Sequence, residues 1–162
     1  VLECFAKMPD YNLTVCGPVE GDKDFYEFYK KELCDIPNIR LVGRIHVKGE
    51  QFKNIVNSSV GLVYPSCSEG QSGAVITGLH AGLIPIITKS SGIDAKPFGI
   101  ELKIPSIEEI EKAVKTVSSM PESELKERSV SAWKYANANH TRENFREKYA
   151  EFIDKIIKEK NL

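Results

Sequence analysis

One carboxylate, Glu69, sits in the run Glu69, Gly70, Gln71, Ser72, Gly73, Ala74. An apolar stretch stopped by Pro65 and Ser66 precedes it, and a small-residue stretch that reads as a helix from about Gln71 to Ala81 follows. A helix starting here directs unpaired backbone N–H groups and the positive end of its dipole at the loop, which suits a phosphate. Ser72 and Gly73 project no large side chain, so a ligand can approach the backbone closely. Because a carboxylate repels phosphate, Glu69 is better suited to accept hydrogen bonds from hydroxyls. Hydroxyls and phosphate in one site suggest a nucleotide sugar; the competing reading is that Glu69 only caps a helix. His80 follows Thr77 by three residues on the same helical face and could approach such a ligand, although a hydrogen-bonded structural histidine is the simpler assignment.

The elements that must position these residues alternate. Val60, Leu62, Val63 and Tyr64 predict a buried strand, and Ile84, Pro85, Ile86 and Ile87 predict another after the helix. A strand, helix and strand in that order need a crossover, so the two strands should run parallel. Ligands of open α/β sheets sit beyond the carboxyl ends of the strands, where Glu69 lies. Upstream, Leu13, Thr14, Val15 and Cys16 predict a strand ended by Gly17 and Pro18. Phe25, Phe28, Tyr29 and Leu33 then mark one amphipathic helix ending near Asp35, and Ile39, Leu41 and Val42 a second strand. A short helix over about Gln51 to Asn57 buries Phe52, Ile55 and Val56.

Downstream of Thr88, the segment KSSGIDAKPFG is rich in turn formers and reads as a polar loop outside the core, on the same sheet edge as Glu69. Gly99 to Ile104 gives one more strand. Ser106 and Glu109 form a capping box for a helix facing inward through Ile107, Ile110, Ala113, Val114 and Val117. Pro121, as a first helical residue, opens the next helix, with Trp133 in its packed face, and Thr141 caps the last. Phe145, Tyr149, Phe152, Ile153 and Ile156 make a stripe along that helix which must lie against something: an absent domain or a second copy.

The class is therefore α/β, a doubly wound (Rossmann-like) parallel sheet with extra C-terminal helices, in one domain over residues 1–162. A net charge of −1 gives no reason to expect nucleic acid. Cys4, Cys16, Cys34 and Cys67 lack any C-x-x-C spacing and read as buried free thiols of a reducing cytoplasm, not as a zinc site or disulfide framework. His46 and His140 read as solvated loop residues without ligand partners. No apolar run is long enough to span a bilayer. VLECFAKM has helical spacing with no capping residue ahead of it, so a piece of a longer protein is expected.

The segments LTVCG, PNIRLVGR, VGLVYPSCSEG, HAGLIPIIT and YANANHTRENFREKYAEFIDKI resemble, in order and interval, the C-terminal donor-binding domain of retaining, nucleotide-sugar-dependent glycosyltransferases. These are the group 1 (family 4) enzymes of the GT-B fold. The resemblance runs from about Tyr11 to the end and implies transfer of a sugar from a donor such as a UDP- or GDP-sugar to a glycan or lipid-linked acceptor, without a metal or cofactor. It implies that Glu69 contacts the donor sugar as the catalytic residue, with Gln71 and Ser72 nearby. It also places the Gly73 and Ala74 amides on the diphosphate and Arg44 beside the base.

The family motif is a Glu, seven residues and a second Glu that binds ribose; here that second position is Thr77, which loses the charge-assisted contact. The family's Arg and Lys for the diphosphate lie on a loop after its first strand, ahead of the helix that VLECFAKM resembles. Arg44 and Lys48 copy that loop's letters but follow a different strand. The first strand and the N-terminal acceptor domain are thus expected upstream, and the 162 residues alone are expected to be inactive. The intact protein is expected in the cytoplasm, with peripheral association at the inner face of the membrane. Two rivals share the fold: a degenerate scaffold domain, favoured by Thr77, and a nucleotide-sugar epimerase. A response regulator or flavodoxin fits poorly, since neither an acidic cluster nor a flavin phosphate loop follows the first strand.

Overall fold

A computed structural model describes residues 1–160. Five strands alternate with helices: β1 Leu13–Cys16, β2 Ile39–Gly43, β3 Gly61–Tyr64, β4 Ile84–Thr88 and β5 Ile100–Leu102. The helices are α1 Leu2–Ala6, α2 Lys23–Phe28, α3 Lys30–Cys34, α4 Glu50–Asn57, α5 Gly73–His80, α6 Ile107–Ser118, α7 Glu122–Asn139 and α8 Arg142–Lys160. Every strand pairing is parallel, as expected for crossovers through helices. The strands form two sheets, β1–β2 and β3–β4–β5.

Strand β4 organises the molecule. All five of its residues are buried, and its pleat sends alternate side chains to opposite faces. Ile84 and Ile86 join Leu2, Phe5, Met8, Leu33, Leu102, Ile110 and Val114 in a core formed with α1, α3 and α6. Ile87 joins Val75 and Leu79 of α5, Ile93, Phe98, and Ala132 and Ala136 of α7 in a second core. Helices therefore cover both faces, the doubly wound arrangement. Burying one such Ile or Leu side chain contributes about 1.5–3 kcal/mol.

Several local expectations are corrected. The helix expected from residue 22 to 35 breaks at Tyr29, whose φ of −102° and ψ of 18° leave helical geometry, and whose hydroxyl donates to Glu3. Segment 89–99 is not merely a polar loop: Ser91, Ile93, Ala95 and Phe98 are buried, and the last three line the second core. Turn-forming letters concealed apolar anchors placed at every second or third residue. Of the cysteines only Cys4 is buried; Cys16, Cys34 and Cys67 are exposed. Trp133 is 48% exposed because Ala132 and Ala136 occupy the packed face of α7. Pro121 is the residue before α7 and not its first.

The capping box is half formed. Ser106 accepts from the Glu109 N–H, but the Glu109 carboxylate accepts from the Lys103 N–H instead of returning to Ser106. Thr141 caps α8 as expected, accepting from Asn144 N–H at 3.1 Å. The α8 stripe does not find a complete partner: Phe145, Tyr149 and Phe152 are exposed, with Phe145 and Tyr149 stacked at 5.8 Å. No helix among the described residues is long and apolar enough to cross a membrane.

Candidate functional site

Strand β3 ends at Tyr64, and residues 65–72 carry the chain to α5 at the carboxyl edge of the parallel strands. α5 begins two residues later than the sequence predicts, because Ser72 stays outside the helix to cap it. The Ser72 hydroxyl accepts from the Val75 N–H at 3.5 Å, and the Ser72 carbonyl accepts from Ile76. The N–H groups of Gly73 and Ala74 remain at the helix start with no intrahelical acceptor, on exposed residues. The inward face of α5 carries Val75, Gly78 and Leu79, all buried, and Gly78 lets the helix approach β3. A Cβ at Gly78 would lie 2.8 Å from Leu62 Cδ2. Gly73, Ala74 and Thr77 are consequently turned toward the open side.

Glu69 is exposed and does not cap α5; Ser72 does. Instead, the Tyr64 hydroxyl donates to Glu69 Oε1 at 2.6 Å. That bond holds the Tyr64 phenol above its ordinary pKa, an effect partly opposed by the Ser72 hydroxyl and reinforced by burial. The pairing fixes one carboxylate oxygen and leaves the other with free acceptor capacity. Tyr64 was not singled out from the sequence. Its signal is position: it is the last residue of β3, five before Glu69 across the loop that opens at Pro65.

The segment after β4 forms the second wall. Ser72 N–H donates to the Ser91 carbonyl at 2.9 Å, and the Thr88 hydroxyl donates to the Ser66 carbonyl. Gly92 sits at φ 70°, and a Cβ there would collide with the Gly70 carbonyl. The two loops therefore interlock through backbone. Lys89, exposed at the carboxyl end of β4, forms no ion pair among the described residues and adds a cation to this edge that sequence reading overlooked.

Thr77 is half-buried and its hydroxyl donates to the Gly73 carbonyl at 2.8 Å, leaving its lone pairs free to accept. Gln71 is exposed beside Glu69. Glu69, Gln71, Ser72, Gly73, Ala74 and Thr77 thus share one loop and helix start. Arg44 is exposed after β2, in the other sheet, and no hydrogen bond or ion pair among the described residues ties it to residues 69–77. His80 Nε2 lies 3.1 Å from the His140 carbonyl, the structural role expected for it. His140 is not a solvated loop residue: it is partly buried at the end of α7, its Nε2 has no hydrogen-bond partner, and its pKa is lowered, chiefly by burial and then by His80 and Lys148. Among the described residues no group of three His, Cys, Asp or Glu side chains could hold a metal ion.

Strands, loop and capped helix together define a Rossmann-like domain with its ligand-accessible edge at the carboxyl ends of the strands. The same fold occurs in solved structures. A glycosyltransferase from Rickettsia africae superposes with a TM-score of 0.80 at 16% identity, covering 97% of this chain and 43% of that one. Anabaena Alr3699/HepE, solved in complex with UDP and glucose, superposes at 0.77 with 11% identity, covering 95% of this chain and 43% of that one. The chain thus spans less than half the length of these neighbours. No family model and no curated protein sequence matches it.

Proposed function

We propose that this chain is the donor-binding domain of a nucleotide-sugar-dependent glycosyltransferase of the GT-B fold, group 1 (family 4), transferring a sugar to a glycan or lipid-linked acceptor bound by a separate N-terminal domain. The observation that carries the reading is the open α5 N-terminus beside a carboxylate held by Tyr64, on a fold shared with a glycosyltransferase. Glu69 accepts hydrogen bonds from the donor sugar. Gln71 and Ser72 flank it, and the Gly73 and Ala74 N–H groups meet the diphosphate. As the bond between C1 and the diphosphate breaks, negative charge grows on the leaving oxygens, where preorganised N–H donors act best. Thr77 accepts from a ribose hydroxyl, and Arg44 borders the base.

The domain needs no metal in this reading and no cofactor beyond its sugar donor. In this reading the 162 residues alone do not turn over, because the acceptor is bound by a separate domain. Cytoplasmic placement at the inner membrane face follows the same resemblance. Thr77 in place of an acidic residue favours a second reading, a binding scaffold without turnover. Thermal unfolding of the natural longer chain with UDP, GDP and ADP separates the two. A donor domain is stabilised by one of them, by about 2.7 kcal/mol at a hundredfold excess over Kd. No shift with any nucleotide favours the scaffold.

A further inference from the structure

Helix α8 is attached at its root and by little else. Among its described side chains none is buried, and Asn144, Ile153 and Ile156 alone are half-buried. A helix that buries so little belongs to the low end of local stability and takes its direction from the corner it springs from. That corner is His140, whose φ of −123° and ψ of 49° leave helical geometry after α7. Asn144 Nδ2 donates to the Ala138 carbonyl inside the corner, while His80 reaches in from α5, its Nε2 lying 3.1 Å from the His140 carbonyl. Since a carbonyl oxygen can only accept, His80 Nε2 carries the proton. His80 follows the buried Leu79 at the end of α5, so this bond fastens the corner to the second core. The His140 ring packs on Tyr135, their centroids 5.4 Å apart, and Tyr135 in turn lies 5.0 Å from Phe98 of that core.

One atom of this corner is out of balance. His140 Nε2 is buried and has no hydrogen-bond partner among the described residues. On a neutral ring it is a bare lone pair; on an imidazolium it becomes a donor and a charge that nothing accepts. The titratable groups facing the ring give no relief. They are His80 from α5, Tyr135 from α7 and Lys148 from α8, none of them a carboxylate, and His140 forms no ion pair among the described residues. Burial first, and then His80 and Lys148, hold the imidazole below its ordinary value. The ring therefore gains its proton by leaving for water, and a ring on the hinge residue carries the hinge with it.

We propose that His140 is an acid-released latch for α8: neutral and packed on Tyr135 it fixes the direction of the helix, and protonated it swings out, breaks the His80 contact and lets α8 turn as a unit. The device changes which way the exposed Phe145, Tyr149 and Phe152 face. Strand β4 and its two cores stay folded meanwhile, because α8 adds no residue to either core. The inference rests on the corner between α5, α7 and α8, independent of the sugar-transfer reading.

The test follows the histidine rings and their contacts by NMR on the protein at its natural length, from about pH 7.5 to about pH 5, a range that spans the ordinary histidine value of about 6.5. The contact between the Tyr135 and His140 rings should be present at the upper end and lost at the lower. Its midpoint should lie below about 6.5 and coincide with the His140 titration, while contacts among Val75, Leu79 and Ala132 in the second core persist. Amides of α8 should tumble with the core at the upper end and independently at the lower. His140→Phe keeps a ring beside Tyr135 that cannot take a proton, so its α8 should stay fixed throughout. Should that variant not fold, coincidence of the two midpoints in the wild type is the supporting result. An α8 that stays fixed as His140 titrates, or loosens at a different midpoint, overturns the proposal. So does equal loosening in a folded His140→Phe, and so does loss of the Val75, Leu79 and Ala132 contacts at the same midpoint, which is acid unfolding of the whole fold. No nucleotide is added, so the result stands apart from any test of donor binding.

Discussion

At the scale of single residues, the pair Tyr64–Glu69 is the chemical centre of the proposed site. Its carboxylate raises the phenol's pKa, chiefly because the hydrogen bond the phenol donates to it is lost on deprotonation. The linked stability is intact below the unfolded phenol's pKa of about 10 and is lost as the pH rises from there through the folded value. Glu69→Gln should therefore move the Tyr64 titration back toward its ordinary range, followed by phenolate absorbance; an unmoved titration would mean the hydrogen bond is not formed in solution. Asn38 is a second residue whose role exceeds its letter. Read as a turn former, it is buried, and its amide reaches the carbonyls of Phe5, Met8 and Tyr11, tying the end of α1 to β2. Asn38→Ala strands these acceptors and should cost about 1–3 kcal/mol in denaturant unfolding, without a change in m.

At the scale of elements, the site depends on two interlocked loops. Gly92→Ala combines a left-handed backbone with a collision against Gly70 and should cost more than about 1–3 kcal/mol by thermal unfolding. The end of α7 carries a pH response. Protonation of His140 is disfavoured by burial, so the unfolded chain takes up the proton first and stability is lost as pH falls from about 6.5 through the lowered folded value. Unfolding midpoints between neutral and mildly acid pH should fall in the wild type and flatten in His140→Asn.

These elements also mark what the sequence could convey. The strands, their parallel order and the Glu69 loop were legible because apolar runs of β-branched residues separated by turn signals have few other solutions. The buried side of segment 89–99 was hidden, since Ile93, Ala95 and Phe98 fit neither helical nor strand periodicity. The break at Tyr29 and the shared carbonyls at Asn38 are tertiary contacts with no local pattern. Glu69's partner was likewise set by the turn geometry that brings Tyr64 back to it.

At the scale of the whole molecule, two features stand out among the described residues. The strands form two separate sheets, and α8 leaves Phe145, Tyr149 and Phe152 in solvent. The chain spans 43% of the length of each of the two solved neighbours. The most direct test of the proposed donor-domain role is sugar transfer by the intact protein and its Glu69→Gln and Thr77→Glu variants, with UDP- and GDP-sugars as donors. Glu69→Gln should lower kcat by at least about 100-fold, the scale of losing a transition-state hydrogen-bonding group. Thr77→Glu should keep transfer and hold or tighten nucleotide binding. Equal turnover of Glu69→Gln and wild type would contradict the assignment and leave Glu69 as the partner of Tyr64 alone.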